Sequence, residues 1–421
     1  MTAAHLVILA NGSVGAEKQA LALAGASGLP FRVLRLLPHP LLARAPTSAQ
    51  LLAARALGAS RRALFDPASA PALDALLGEP PPAFAVSCGR ASILASVCAR
   101  TLGAKTVHIQ RPRCGECEFD RLVVPAHDLT FSTRYQTPGN ALLSTGSLHA
   151  IDAAVLEAAR ESAEGAALLR RPSPRVALLL GGPTPACAYT PEDAVHTLHH
   201  AHASTRRAGG SLLVSTSRRS PAELVRAVAA LAAADPQHVS AWLAQTHGAA
   251  GPSPSADYGA PNYSSAFGSN PYEAFLTTAE HLVVTADSVN MATEAVAAAH
   301  FTGARVHIAL AEACRSRDSW TGWQLGNNVS HHRNHNTAQF WADWSPLQLR
   351  TRGARRRLRA FLDSLLDVGA AQPFAAELPF ELGPGDGTGE AGRALQLEIA
   401  TQTKRIARSL FGPITTLRRH L

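Results

Sequence analysis

Residues 170–182 read RRPSPRVALLLGG, and this short segment separates two halves of the chain that carry the same α/β pattern. Its first six residues are polar and rich in proline, which is typical of a hinge between domains. The apolar run Val176–Leu180 predicts a buried strand, and two glycines follow it as in a turn from a strand into a helix. We therefore predict that one domain ends at this segment and that a second begins directly after it.

Upstream of the hinge, short apolar runs alternate with helical patterns. Strands are predicted at His5–Ala10, Phe31–Leu37, Phe84–Ser87, Thr106–Gln110, Arg121–Pro125 and Ala141–Ser144, and helices at Ala16–Ser27 and Ala91–Leu102. Strands that alternate with helices imply βαβ units with right-handed crossovers, and therefore a parallel sheet.

Downstream, the same alternation returns. Strands are predicted at Val176–Leu180, Ser211–Thr216, His281–Ala286 and Val306–Leu310, with helices near Pro191–Arg207, near Pro221–Ala234 and from Ser288. The expected fold class is thus α/β, with two Rossmann-like domains at residues 1–169 and 170–375 that face a central cleft. Residues 248–269, rich in Gly, Pro, Ser and Ala, predict a flexible surface insertion. Residues 376–421 predict a linker and a terminal helix that packs back on the body.

Composition limits the compartment and the partners. No run of about 18 apolar residues occurs, so we expect at most peripheral membrane association and not a membrane span. The short N-terminal apolar run lacks the features of a signal peptide, and we expect a cytoplasmic protein. The net charge of +8 permits an anionic ligand or surface. The basic segment 350–359 contains no aromatic residue for stacking, which favours a solvated helix, so no nucleic-acid partner is predicted.

Two strand ends in the first half are candidate ligand loops. Gly12 and Gly15 lie in the loop after the first strand, where glycines let the backbone approach an anion at a helix start. The spacing is not that of a dinucleotide fingerprint, so an unliganded tight turn is the alternative. Arg90 follows the third strand and could reach a phosphate or a carboxylate.

The candidate acid/base residues are also in the first half. His127 and Asp128 are adjacent at a strand end, where a histidine beside a carboxylate suits proton transfer, and Glu17 is the third candidate. A helix cap or a solvated turn is the alternative interpretation of the His-Asp pair.

The second half offers glycine amides, hydroxyl groups and arginines after successive strands, a combination that suits a diphosphate. The candidate ligand-binding residues are Gly181, Gly182, Ser215, Arg218, Ser288 and Glu294. No metal site is predicted. Cys114 and Cys117 have no second cysteine pair to complete a tetrahedral site. The histidine runs 196–202 and 331–335 are the other metal candidates, and a solvated helix face is the preferred interpretation of His196 and His200.

Taken in order, the runs NGSVGAEKQ, SCGR, IQRPR, FDRLVVPAHD, LLSTGSLHAID, LLLGGPT, STSRRSP, NPYEAFL and VVTADSVNMATEA resemble the Elongated Mitochondria (mitochondrial fission) protein family. The resemblance implies a fold of the GT-B glycosyltransferase type. It also implies a place on the outer mitochondrial surface and a dynamin-related GTPase as partner. By analogy with GT-B enzymes, the six candidates of the second half would hold a nucleotide-sugar.

Two hypotheses therefore stay open. The first is an adaptor that helps to recruit a dynamin-related GTPase to the mitochondrial outer membrane, and the insertion and the extended tail favour it. The alternative is a glycosyltransferase whose substrate is a nucleoside-diphosphate sugar, with no certain cofactor. Whether the chain is an enzyme is left undecided by the sequence.

Overall fold

The structure is a computed structural model that describes residues 5–57, 61–78, 81–112, 115–129, 137–184, 187, 189–244, 263–265, 270–310, 346–374 and 388–412. The chain divides into two compact units. The first unit comprises residues 1–150 and 401–421, and the second comprises residues 151–400. Each unit is built on one sheet.

The first unit contains a six-stranded sheet in which all strands are parallel. The strand order is β2-β1-β3-β4-β5-β6. The strands are β1 (Leu6–Ala10), β2 (Phe31–Arg35), β3 (Phe84–Cys88), β4 (Lys105–Ile109), β5 (Arg121–Pro125) and β6 (Ala141–Ser144). The helices are α1 (Val14–Ser27), α2 (Pro40–Arg44), α3 (Thr47–Leu57), α4 (Ala70–Leu77) and α5 (Ile93–Thr101).

Strand β1 is buried on both faces, because helices cover each side of the sheet. Leu6 and Ile8 point into the same core cluster as residues of α1, whereas Val7 and Leu9 belong to a second cluster that contains residues of α4 and α5. Successive side chains of a strand point to opposite faces, so a strand covered on both sides is apolar throughout. This explains why the run HLVILA does not alternate between apolar and polar residues.

The second unit contains a seven-stranded sheet with the order β10-β9-β8-β7-β11-β12-β13, parallel except for the antiparallel β9–β10 pair. The strands are β7 (Arg175–Leu180), β8 (Ser211–Thr216), β9 (Val239–Ala244), β10 (Tyr263–Ser265), β11 (His281–Thr285), β12 (Arg305–Ala309) and β13 (Gln372–Pro373). The helices are α6 (Ala153–Glu161), α7 (Ala163–Leu169), α8 (Pro191–Arg207), α9 (Ala222–Ala234), α10 (Tyr272–Thr278), α11 (Val289–Thr302) and α12 (Pro346–Asp367).

The last helix, α13 (Glu390–Phe411), contributes to both units. Ile399 and Ala400 belong to the core of the second unit, and Ile406 and Phe411 belong to that of the first. The terminal helix predicted from the sequence is therefore present. Among the residues that the structure describes, no helix has the length and apolar character needed to cross a membrane.

The prediction of two Rossmann-like α/β domains is confirmed, while the bounds of the units differ from the sequence-based ones of 1–169, 170–375 and 376–421. Helices α6 and α7 precede the proline-rich hinge in the sequence, yet Leu156 and Leu168 are buried in the core of the second unit. A side chain joins whichever core it contacts, and the hinge composition does not reveal this. Most of the predicted insertion 248–269 lies outside the described residues, and its residues 263–265 form β10.

Candidate functional site

In both sheets the strand order reverses at a switch point, where two neighbouring strands are not consecutive in the chain. In the second unit the chain runs outward from β7 to β10 and then returns to place β11 beside β7. In the first unit the corresponding neighbours are β1 and β3. Ligands of open α/β sheets bind beyond the carboxyl ends of the strands at such switch points. The candidate glycine loops follow β7 and β1, so each lies at the switch point of its own sheet.

At the switch point of the second unit, an internal carboxylate fills the glycine loop. Asp287, which follows β11, has a side chain with 0% exposure. Its Oδ2 accepts a hydrogen bond from the backbone N–H of Gly182 at 2.9 Å and one from Nη2 of Arg219 at 3.0 Å. Nη1 of Arg219 donates to the carbonyl oxygen of Gly182 at 2.8 Å. The loop is thereby held by a carboxylate and a guanidinium of the same chain.

The two glycines of this loop are required by the close approach of these groups. A Cβ on Gly181 would overlap the carboxylate of Asp287, and a Cβ on Gly182 would overlap the backbone of Arg219. Neither glycine has a positive φ, so the constraint is space and not backbone conformation. The double glycine therefore has a local structural role in admitting Asp287 and Arg219.

Hydroxyl groups complete the network around the loop. The Oγ1 of Thr285 accepts a hydrogen bond from Gly181 N–H at 2.8 Å, and the Oγ of Ser220 donates to the carbonyl oxygen of Gly181 at 2.6 Å. Both hydroxyl groups are buried. Buried backbone polar groups are costly unless they are hydrogen-bonded, and here side chains from two further segments satisfy them.

In the described part of the chain, the network contains one buried oxygen atom without a hydrogen bond and one guanidinium that is partly exposed to solvent. The Oδ1 atom of Asp287 is buried and has no hydrogen-bond partner among the residues that the structure describes. The Arg219 side chain is 43% exposed, so part of its guanidinium faces solvent. The network therefore carries a buried negative charge on its inner side and an accessible positive charge on its outer side.

The other candidates of the second unit lie on different elements around this loop. Ser215 is buried within β8, while Arg218 is exposed in the turn after that strand. Ser288 is the N-cap of α11, and its Oγ accepts a hydrogen bond from Met291 N–H at 3.3 Å. Ser288 thus provides the helix cap that the sequence indicates.

Glu294 is buried in α11, and its Oε2 accepts a hydrogen bond from the hydroxyl group of Tyr272 at 2.7 Å. Burial, together with the neighbouring Glu294 carboxylate, raises the pKa of Tyr272 well above its usual value, which keeps the phenol protonated as the donor. The structure therefore places Glu294 in a link between α11 and α10.

In the first unit, a carboxylate also occupies the glycine loop. Gly12 has φ of +81°, and its N–H donates to Oε1 of Glu17 at 2.6 Å. Glu17 is buried, and its carboxylate lies 3.5 Å from the guanidinium of Arg35. Across the switch point, Nδ2 of Asn11 donates to the carbonyl oxygen of Cys88 at 2.9 Å. Glu17, predicted as an acid/base candidate, is thus bonded to the loop amide that was expected to approach an anion.

The remaining candidates of the first unit are spread over separate segments. Gly15 lies in the first turn of α1. The Arg90 side chain is bound within the unit, because its Nη2 donates to the carbonyl oxygens of Ala43 and Ala45 at 2.9 and 2.7 Å. His127 and Asp128 lie in a short 3-10 turn after β5. Burial raises the pKa of the Cys88 thiol, so this residue is a packing residue and not a thiolate nucleophile.

Sequence reasoning missed the residues that organise the second switch point. Asp287, Thr285 and Ser220 are all polar residues at a strand end or in a turn, and only their order along the chain is visible in the sequence. The adjacent arginines 218 and 219 are indistinguishable by composition, yet only Arg219 contacts the loop. The double glycine was the one signal that something approaches the backbone closely.

In the described part of the chain, side chains of the metal-binding types do not form a large cluster. No group of three or more His, Cys, Asp or Glu residues is placed there to share an ion. Cys117 is exposed, whereas Cys114 and the histidine run 331–335 lie outside the described residues.

The fold and the two switch points define a two-domain α/β protein in which each Rossmann-like sheet carries a polar network on its central glycine loop. A family model described as Mitochondrial fission ELM1 matches residues 14–347, which is most of the sequence. The chain therefore belongs to the mitochondrial fission ELM1 family.

Comparison with individual proteins gives one curated relative and several distant structures. The chain is 28% identical over 256 residues to the mitochondrial fission protein ELM1 of Arabidopsis thaliana. The match covers 56% of this chain and 53% of that protein, so the chain spans about half the length of the relative.

Among solved structures, the chain is similar to the UDP-GlcNAc 2-epimerase of Neisseria meningitidis bound to UDP-GlcNAc. The TM-score is 0.46 at 10% identity, and the match covers 97% of this chain and 100% of that one. It is also similar to a UDP-glucosyltransferase of Polygonum tinctorium, with a TM-score of 0.38 at 12% identity over 96% and 100% of the two chains.

Proposed function

We propose that this protein is an adaptor in mitochondrial division that helps to recruit a dynamin-related GTPase to the outer mitochondrial surface. Membership of the mitochondrial fission ELM1 family supports a role in fission. The adaptor role and the GTPase partner are our extension of that membership. In this proposal the two α/β units serve as a scaffold for protein contacts.

The observation that carries the proposal is the occupation of both glycine loops by the protein's own carboxylates. A phosphate at a strand–glycine–helix loop is bound by free backbone N–H groups. The N–H of Gly182 donates to Asp287 and that of Gly12 donates to Glu17. These two amides are therefore already satisfied, which favours a scaffold over a nucleotide-binding enzyme.

The charge of Asp287 adds to this argument. The Asp287 side chain is fully buried. A phosphate bound at the Gly182 amide would therefore lie close to the Asp287 carboxylate, with little water between the two negative charges. Like charges at close range in a low-dielectric site repel strongly. The crevice beside the loop, which Tyr189 and Leu224 also line, holds no space for a water-sized molecule.

The adaptor proposal is tested by location and by direct binding. Tagged protein is expected to co-sediment with mitochondria and to be released by high salt, as peripheral proteins are. Purified chain immobilised on a sensor is expected to bind a purified dynamin-related GTPase, with an unrelated GTPase as the control. Absence of the tagged chain from mitochondria, together with equal signals for both GTPases, contradicts the proposal.

A nucleotide-sugar-dependent glycosyltransferase is the second candidate, and one observation favours it. The outer part of the Arg219 guanidinium is exposed at the switch point, where an anionic group could accept its remaining N–H donors. In that case the donor would be a nucleoside-diphosphate sugar, and His127, Asp128 or Glu17 would be the acid/base residue.

Calorimetric titration of the pure chain with UDP, GDP and ADP separates the two proposals. The adaptor predicts no heat of binding for any of the three. The transferase predicts heat for at least one of them, and this heat is reduced in Arg219→Gln relative to Arg218→Gln.

A further inference from the structure

Helix α8 carries a pair of histidines whose ring nitrogens face each other. His196 and His200 are four residues apart and therefore share one face of the helix. Their Nε2 atoms are 2.9 Å apart and their ring centroids are 4.1 Å apart. The start of the helix is fixed by a capping box between Thr190 and Asp193, with Pro191 in its first turn. The two imidazoles thus project from a helix with a well-defined backbone.

We propose that His196 and His200 form a two-ligand site for a divalent transition-metal ion with tetragonal coordination, Cu²⁺ before Ni²⁺. Imidazole nitrogens bind such ions at about 2.0–2.1 Å. Two nitrogens 2.9 Å apart that bind one ion at this length subtend an angle of about 90° at the ion. That is the angle between neighbouring ligands in a square or octahedral arrangement.

Zinc is expected to bind this pair less tightly than copper, because copper(II) leads the affinity order for nitrogen ligands. Copper(II) and nickel(II) favour tetragonal sites with nitrogen and oxygen ligands. The other positions on the ion are taken by water.

Metal binding needs a change of tautomer and a turn of the two rings that aims both Nε2 lone pairs at the ion. The two Nε2 atoms are within hydrogen-bonding distance, so one of them carries the proton and the other accepts it. Coordination uses a lone pair on each Nε2, and the donor ring therefore moves its proton to Nδ1. When both rings are neutral, no proton is lost from the pair.

Neighbouring histidines of the helix provide matched controls. His199 is exposed on α8, and the structure assigns it no ring contact with either member of the pair. Nε2 of His202 lies 2.9 Å from Oδ2 of Asp235, so its ring is already engaged in a hydrogen bond. The sequence alone indicated a solvated histidine-rich face, and the distance between the two Nε2 atoms is the new observation.

The test is titration of the full-length chain with Cu²⁺ alone, followed by calorimetry and electron paramagnetic resonance. We expect the His196→Ala and His200→Ala variants each to bind one molar equivalent of copper less than the parent chain. His199→Ala is expected to bind as the parent does. Alanine is the best helix former, and circular dichroism without metal checks that the helix is retained.

Copper can also bind at other histidines, for example in the run 331–335. To distinguish that binding from binding at the pair, the same substitutions are made in a His331→Ala/His332→Ala/His335→Ala background. There the resonance of the one-equivalent complex should show coupling to two imidazole nitrogens, and to one after His196→Ala. Equal copper binding by the parent, His196→Ala and His200→Ala overturns the proposal. So does tighter binding of Zn²⁺ than of Cu²⁺ by the pair.

Discussion

Replacement of Arg219 by glutamine tests the network at the second switch point most directly. Arg219→Gln keeps a polar but shorter side chain and removes the positive charge that faces Asp287. The carboxylate then keeps the hydrogen bond from Gly182 N–H and loses the one from Nη2 of Arg219, which is 3.0 Å long. A fully buried carboxylate is left without a counter-charge, and we expect the second unit to be destabilised.

The magnitude follows from the burial of the two partners. Removal of one member of a buried ion pair costs about 3–5 kcal/mol when both charges are shielded from water. Asp287 has 0% exposure, but the Arg219 side chain is 43% exposed, so solvent already screens part of the interaction and we expect about 2–3 kcal/mol.

Tryptophan fluorescence during urea denaturation is a suitable assay, because Trp242 of β9 is buried in the core of the second unit, and residues 1–150 and 401–421 contain no tryptophan. The fluorescence transition therefore reports on the second unit. The matched control is Arg218→Gln, since Arg218 is the exposed neighbour of Arg219. A surface change of this kind is expected to alter the unfolding free energy by less than about 0.5 kcal/mol.

A double-mutant cycle identifies the partner. In an Asp287→Asn background the buried charge is absent, so the further change Arg219→Gln should cost less than about 1 kcal/mol. The reasoning is refuted if Arg219→Gln is as stable as Arg218→Gln. It is also refuted if the cost of Arg219→Gln is the same with aspartate and with asparagine at position 287.

Three further predictions concern single positions. Gly181→Ala should destabilise the second unit by about 1–3 kcal/mol in urea denaturation, since its Cβ would overlap a buried carboxylate. Hydrogen bonds from two histidines hold the pKa of Asp235 at about 2, below its usual 3.8. The ionised carboxylate therefore stabilises the fold fully above pH 3.8, and this contribution is lost as the pH falls toward 2. Asp235→Asn should accordingly destabilise the protein above pH 3.8 and have no effect near pH 2. Burial lowers the pKa of His307 to about 3. Between pH 6.5 and 3 the unfolded chain therefore binds a proton at this residue that the folded chain does not, and the fold loses stability as the pH falls. In His307→Gln this pH-dependent loss should be smaller.

The glycine prediction has a matched control variant, and each of the three predictions has a result that would contradict it. Gly25→Ala places a Cβ in the last turn of α1 where nothing lies within 4 Å, and it should stabilise the first unit by about 0.5–1 kcal/mol. A Gly181→Ala chain as stable as its parent would contradict the packing argument. An Asp235→Asn effect that persists at pH 2, or an unchanged acid profile in His307→Gln, would contradict the two linkage arguments.

The order of strands and helices followed from local patterns. The strands at Arg121–Pro125, Ala141–Ser144 and Ser211–Thr216 have the predicted bounds, and the others differ by one or two residues. Buried parallel strands are short and almost wholly apolar, and their helices begin at turn residues, so both signals lie within a few residues of sequence.

Elements without such a signal were missed. The strand Val239–Ala244 follows a helix without a glycine turn, and β13 is only two residues long and lies at the sheet edge. Helices α6 and α7 look like the end of the first domain, but their apolar faces are buried in the second. Assignment of a helix to a core depends on contacts with residues far away in the chain.

Sequence alone thus determined the two α/β patterns, their glycine loops and the likeness to a fission family, because each is written in neighbouring residues. Tertiary structure alone decided what fills those loops. Asp287 reaches Gly182 across 105 positions of the chain, and Arg219 reaches Asp287 across 68. Which of two adjacent arginines meets a buried carboxylate depends on side-chain direction at the end of a folded strand, and no local pattern encodes that direction.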